Sequence, residues 1–147
     1  MNKVEEAVRL FHEGFSCSQA IASAFGPELG LETDACLKVG GAFGGGMGCM
    51  AETCGAVTGA FILIGLRFAP VMAADRAAKD KTYEVVREFT RRFRDRHDSV
   101  LCRELLGYDI STSEGMRAAK EGGLIATLCP KFVRDAAEIV QYLLSQE

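Results

Sequence analysis

Between Gly55 and Leu66 the chain reads Gly-Ala-Val-Thr-Gly-Ala-Phe-Ile-Leu-Ile-Gly-Leu, and the next residue, Arg67, is the first charge. A helix made from this stretch is apolar on nearly every side, so it is stable only where every side is covered. It therefore belongs at the centre of the fold, with the rest of the chain wrapped around it. Its most apolar part, Gly59 to Leu66, is too short to span a bilayer, and Pro70 stops it. The reading places this helix from about Glu52 to Phe68.

The segments on either side also carry helical period. Val4, Ala7, Val8 and Phe11 fall at i, i+3, i+4 and i+7 on one face. Ser16 is placed to cap a second helix bearing Ala20, Ile21, Ala24 and Phe25, which ends at Gly26-Pro27. Thr33 or Asp34 caps a third through Val39. A long charged helix runs from about Ala73 to Arg96 with Val86, Phe89 and Phe93 on one face. Ser99 caps a short helix ending at Gly107, and another runs from Ser113 to Gly122-Gly123. The last helix carries Pro130 in its first turn and turns Val133, Ala137, Val140 and Leu144 inward. No stretch alternates with period two. The expectation is an all-α fold: one compact domain over residues 1–147, a bundle of about six to eight helices around the central apolar one.

With 48% hydrophobic and 25% charged residues, the 147-residue chain can bury one ordinary core. A net charge of −3 favours neither nucleic acid nor an anionic membrane. The opening MNKVEEAVRLFHEG lacks the apolar run of a secretory signal, so the expected location is cytoplasmic, without a membrane span. The run Arg87, Arg91, Arg92, Arg94 and Arg96 is diluted by Glu84, Glu88, Asp95 and Asp98, which makes it a solvated helix face and not a nucleic-acid patch. His12 reads as a surface residue, and His97 favours the C-terminal end of its helix. Neither suggests a Ser-His-Asp or Cys-His arrangement.

Six cysteines remain to be explained, and a reducing cytosol argues against a disulfide framework. Four sit at expected helix starts. Cys17 follows Ser16, Cys54 lies in the first turn of the apolar helix, Cys102 comes three residues after Ser99, and Cys129 precedes Pro130 as a cap. The positive end of a helix dipole favours a thiolate by a few tenths to about 1 kcal/mol. No two of these four form C-x2-C, so the short-range signatures of zinc ribbons, bacterial ferredoxins and thioredoxins are missing. Two readings stay open: four sulfurs converging on one site, or four buried thiols that fill space as small apolar side chains.

Cys36, between Ala35 and Leu37, reads as core. Cys49 forms C-x4-C with Cys54, a spacing that suits a disulfide or an auxiliary ligand, although a structural role is preferred for both. The run Gly40 to Gly48 lacks a P-loop signature and follows no strand. Its glycines allow close backbone approach or aim N–H groups at sulfur. Gly45, Gly46 and Gly48 in the loop, with Gly55 and Gly59 beside Cys54, are the residues expected to shape a cofactor-binding surface.

Several motifs together resemble a known family. They are Phe15-Ser16-Cys17-Ser18-Gln19-Ala20, Gly44-Gly45-Gly46-Met47-Gly48 and Cys54-Gly55-Ala56-Val57-Thr58-Gly59. Lys81-Thr82-Tyr83, Val86-Arg87-Glu88-Phe89, Cys102-Arg103-Glu104-Leu105-Leu106-Gly107-Tyr108-Asp109 and Cys129-Pro130-Lys131 complete the set. The chain resembles, from about Val4 to Leu144, a bacterial and archaeal family of redox-active proteins named for its C…CGAxxG…C…C pattern (C_GCAxxG_C_C). The resemblance implies that Cys17, Cys54, Cys102 and Cys129 are the functional set and that Cys36 and Cys49 are peculiar to this sequence. A similar domain is associated with split-Soret cytochromes, which implies an iron–sulfur role. The chain has no C-x-x-C-H, so no haem is expected.

The expectation is therefore an oxidoreductase or electron-transfer component acting with a redox partner that the sequence does not name. Cys17, Cys54, Cys102 and Cys129 either ligate a cluster such as [2Fe–2S], or another metal, or exchange disulfides without a cofactor. In the second case Cys54 is the expected attacking thiolate, because its loop and helix start favour access. A structural zinc or sensing module and a helical interaction protein are the alternatives. The apolar content leaves a helical homodimer open.

Overall fold

A computed structural model describes residues 2–147. Among these residues the chain forms eight α-helices and no strand: α1 (Lys3–His12), α2 (Cys17–Phe25), α3 (Thr33–Gly40), α4 (Gly55–Phe68), α5 (Arg76–His97), α6 (Cys102–Leu106), α7 (Ser113–Glu121) and α8 (Leu124–Leu144). Short 3₁₀ turns, Gly26–Leu29 and Gly41–Phe43, follow α2 and α3. The fold is all-α.

The apolar helix α4 is central, packed against α2, α8 and α5. Gly55 through Ala60, with Leu63 and Ile64, are buried, and cover runs out only near Leu66. Its closest neighbour is α2, and Gly59 is the reason. A Cβ on Gly59 would lie 2.9 Å from Ile21 Cβ and 3.1 Å from the Ser18 backbone. Glycine at this position lets the two helices touch backbone to backbone. Ser18 Oγ donates to the Gly40 carbonyl at 2.7 Å, which ties α2 to α3. At the start of α2, Ser16 and Gln19 form a capping box.

Three helix starts differ from expectation. α4 begins at Gly55, not Glu52, because residues 52–54 are extended and lie antiparallel to residues 100–102. Cys54 N–H donates to the Val100 carbonyl at 2.8 Å and Cys102 N–H to the Glu52 carbonyl at 2.6 Å, around a Thr53–Leu101 bridge. α6 is capped by Leu101, while Ser99 Oγ accepts from Leu101 N–H at 3.0 Å and donates to Glu104 at 2.5 Å. α8 begins at Leu124, after Gly123 at φ 66°, so Pro130 lies in the helix interior and not in its first turn. Proline there leaves the Ala126 carbonyl without its usual donor, and Ala126 is exposed to water. Smaller shifts start α5 at Arg76 under an Asp75 cap and place Glu32, without a side-chain bond, before α3.

Three arginines of the run, Arg91, Arg92 and Arg96, are paired. Glu88 accepts from Arg91 at 2.5 Å and Arg92 at 2.6 Å, and Arg96 reaches Asp135 at 3.0 Å and Glu138 at 2.8 Å on α8. His97, wedged between Phe93 and Phe132, joins the same seam through Asp135 at 2.7 Å. His12 is exposed. Among the described residues no helix is long and apolar enough to cross a membrane.

Candidate functional site

The glycine-rich loop turns the wrong way round. Gly45, Gly46, Met47, Gly48 and Cys49 follow one another at φ values of 65, 73, 68, 60 and 61°, and Ala51 adds a sixth at 58°. Glycine takes this left-handed conformation freely, whereas each of Met47, Cys49 and Ala51 loses about 1–2 kcal/mol by it. The coil is closed by its own backbone, with Ala51 N–H on the Gly45 carbonyl at 3.2 Å and Glu52 N–H on the Gly46 carbonyl at 2.8 Å. A Cβ on Gly46 would stand 2.7 Å from Cys102 Cβ, so the coil lies directly against that cysteine.

The coil feeds the extended segment before α4, and the antiparallel pairing with residues 100–102 holds Cys54 and Cys102 on neighbouring strands of chain. Arg103 fastens this arrangement. Its Nε donates to the Ala51 carbonyl at 3.0 Å and its guanidinium reaches Glu52 at 2.6 Å. Nothing in the sequence marked Arg103 for this task.

Cys17 opens α2, Cys54 caps α4 and Cys102 opens α6. Cys129 does not sit at a helix start as expected. It lies inside α8, one residue before the interior proline. All four nevertheless line one cavity of about 160 Å³, together with Cys49. Cys49 was expected to be structural, but the left-handed coil turns it to the cavity rim, where it is exposed and its thiol faces the Ile110 carbonyl at 3.7 Å. Cys36 is elsewhere, fully buried and bonded to the Leu31 carbonyl at 3.2 Å. Its sulfur fills the space that Gly26 leaves, where a Cβ would be 2.3 Å from Sγ.

Of the five glycines named above, Gly45, Gly46 and Gly55 line the cavity. Gly48 is exposed on the far side of the coil, and Gly59 serves the α2–α4 contact. Ser16 adds one hydroxyl, and the rest of the wall is apolar: Phe11, Leu105, Leu106, Ile110, Met116, Ile125 and Phe132. All six cysteines are free thiols. Among the described residues no group of three or more His, Cys, Asp or Glu side chains is placed to hold a metal ion.

Burial decides the state of the deeper sulfurs. It pushes the Cys54 thiol from 9.0 up to about 12, although the backbone N–H groups of Ala56 and Val57 pull the other way. Three units correspond to about 4 kcal/mol, against about 1 kcal/mol for a helix start. Cys54 is therefore a protonated, buried thiol and not the accessible thiolate expected. Burial, then the proximity of Cys129, pushes Cys102 up to about 11. Cys17 is raised well above the ordinary thiol value, first because its S–H donates to Cys129 and then by burial. The same bond lowers Cys129. The sulfur best held as a thiolate is thus Cys129, through Cys17 and not through a helix dipole.

A pH dependence follows for the reduced chain without metal. Cys54 and Cys102 are raised in the folded state, so their contribution is complete below about pH 9 and lost as pH rises toward 11–12. Urea denaturation from pH 8 to 11 is expected to show stability falling, with Cys54 supplying on the order of 2–4 kcal/mol at the limit. A Cys54→Ala variant should fall less steeply. Parallel curves for the two proteins would remove this assignment.

The sequence matches, over residues 15–143, the family described as "Putative redox-active protein (C_GCAxxG_C_C)". The chain belongs to this family. In this member of the C_GCAxxG_C_C family the central motif reads Cys54-Gly55-Ala56-Val57-Thr58-Gly59, and the matched span contains all five cavity cysteines. No curated protein and no solved structure matches the chain.

Proposed function

We propose that the chain is a dithiol redox protein in which Cys17 and Cys129 form the reactive pair at the wall of the cavity. One observation carries the reading: Cys17 and Cys129 line the same cavity and are the two of its cysteines that are half-buried, neither sealed in the core nor open to solvent; their mutual influence, which raises Cys17 and lowers Cys129, agrees with it. The Cys129 thiolate attacks one sulfur of a substrate disulfide, and the departing thiolate takes up the proton of Cys17. Cys17 sulfur then attacks Cys129 Sγ, which releases the second substrate sulfur as a thiolate that takes its proton from water, and leaves a Cys17–Cys129 disulfide. Two electrons pass from the protein to the substrate, and two substrate thiols are formed.

A different observation favours a second reading. Thiols from four separate segments line a single apolar cavity, and a sulfur-only donor set is that of an iron–sulfur cluster. Cys17, Cys54, Cys102 and Cys129 would hold it, and the cluster would supply one-electron transfer.

Anaerobic purification, a visible spectrum, iron, sulfide and zinc analysis, and a thiol count before and after mild oxidation separate the two. The expected protein is colourless, shows its six thiols when reduced, and loses one pair to a Cys17–Cys129 disulfide on oxidation. Stoichiometric iron and sulfide would establish the cluster instead. A colourless protein with an unchanging thiol count would end both readings.

A further inference from the structure

We infer that the substrates of this site are small uncharged disulfides, dialkyl disulfides of a few carbons, in preference to charged disulfides. The inference rests on the dithiol reading and adds the substrate class. Its basis is the cavity that adjoins Cys17 and Cys129. At about 160 Å³ it is close to the ~150 Å³ apolar cavity that holds one benzene molecule. Diethyl disulfide is of that order of size, and a tripeptide disulfide is many times larger.

The wall offers nothing to a charge. Among the described residues no Asp, Glu, Lys, Arg or His lines the cavity, and its aliphatic and aromatic surface comes mainly from Phe11, Leu106, Ile110, Met116, Ile125 and Phe132. The single hydroxyl, Ser16 Oγ, is engaged by Gln19 and Ser18 at 3.2 to 3.3 Å. The charged side chain nearest in sequence to a cavity cysteine, Arg103 beside Cys102, is committed to Glu52 and to the Ala51 carbonyl. A carboxylate or ammonium group carried into this space would lose its water without replacement, which is costly. A dialkyl disulfide loses only apolar hydration, and that favours binding.

Gly45, Gly46 and Gly55 bring bare backbone to the wall, packed close against Cys49, Cys102 and Cys17. In the reaction Cys129 sulfur bonds to one alkyl sulfur and the S–S bond breaks. The first alkanethiolate takes the Cys17 proton, and Cys17 then displaces the second from Cys129. The second alkanethiolate takes a proton from water, so the products are two alkanethiols and the protein disulfide. A single turnover needs no further reductant.

The test uses the full reduced chain in single-turnover oxidation by diethyl disulfide and by oxidised glutathione. Each rate is divided by the rate of the same disulfide with a free small thiol, and the Cys17–Cys129 peptide disulfide is read by mass spectrometry. The expected result is a normalised preference for diethyl disulfide of at least about tenfold, reduced when benzene saturates the solution. Equal normalised rates without benzene inhibition would overturn the substrate class and leave the dithiol reading standing. Absence of the Cys17–Cys129 disulfide with either oxidant would overturn both.

Discussion

Gly46→Ala is expected to cost the reduced chain about 2–5 kcal/mol and to dismantle the site first. Two effects add at this position. Gly46 sits at φ 73°, where an alanine loses about 1–2 kcal/mol. Its Cβ would also lie 2.7 Å from Cys102 Cβ, 2.7 Å from Glu52 N and 2.8 Å from Ala51 Cα. Two of those atoms are backbone, held by the Glu52–Gly46 bond at 2.8 Å and by the pairing with residues 100–102, so no rotamer change relieves the overlap. Overpacking of this kind costs about 1–3 kcal/mol and is large beside a typical total stability of about 5–15 kcal/mol. Gly48→Ala is the control. It shares a positive φ of 60°, but the nearest atom to its Cβ is the Ala42 carbonyl oxygen at 3.8 Å. Its cost should stay near 1–2 kcal/mol. Urea denaturation of both variants decides the matter, since equal losses would mean that contact with Cys102 contributes nothing.

Physical patterns explain which parts of this molecule the sequence revealed. The apolar helix α4 was legible because twelve successive residues without charge have only one stable location. Ser16 was legible because a capping box is local in sequence. The start of α8 was not, because Gly122-Gly123 followed by Pro130 reads as a break and a first-turn proline. An interior proline costs about 3 kcal/mol, yet starting at Leu124 lets Leu124, Ile125 and Leu128 pack against the core. Each full burial of such a side chain is worth about 1.5–3 kcal/mol, so partial burial of three offsets the lost bond.

The state of the cysteines was misjudged for a related reason. Helix starts are visible in a sequence and burial depth is not, and at Cys54 burial outweighs the N–H groups of Ala56 and Val57. The meeting of the cysteines in one cavity depends on contacts between residues far apart in sequence. Cys49 reaches the rim only because the loop coils left-handed, and a run of glycines announces a turn without giving its direction.

Substitutions at Cys17 and Cys129 should have unequal consequences, and that asymmetry is the sharpest expectation for the chemistry. Cys17→Ala retains Cys129, so attack on a disulfide still occurs but the second step lacks its thiol. A stable mixed disulfide on Cys129 should accumulate, visible as added mass, while wild type shows it only transiently. Cys129→Ala leaves Cys17 without its partner sulfur while desolvation still raises it, so attack should fall below detection at neutral pH. The pH profile adds a readout that misfolding would not mimic. In wild type the half-point of attack should lie below the ordinary thiol value of 9.0, because Cys17 donates to Cys129. In Cys17→Ala that donor is gone while burial still opposes the thiolate, so the half-point should move up. If the mixed disulfide of Cys17→Ala resolved as fast as wild type, Cys102 or Cys54 would be the second thiol. The pair would then have to be reassigned to the deeper sulfurs, and burial would no longer keep them out of the reaction.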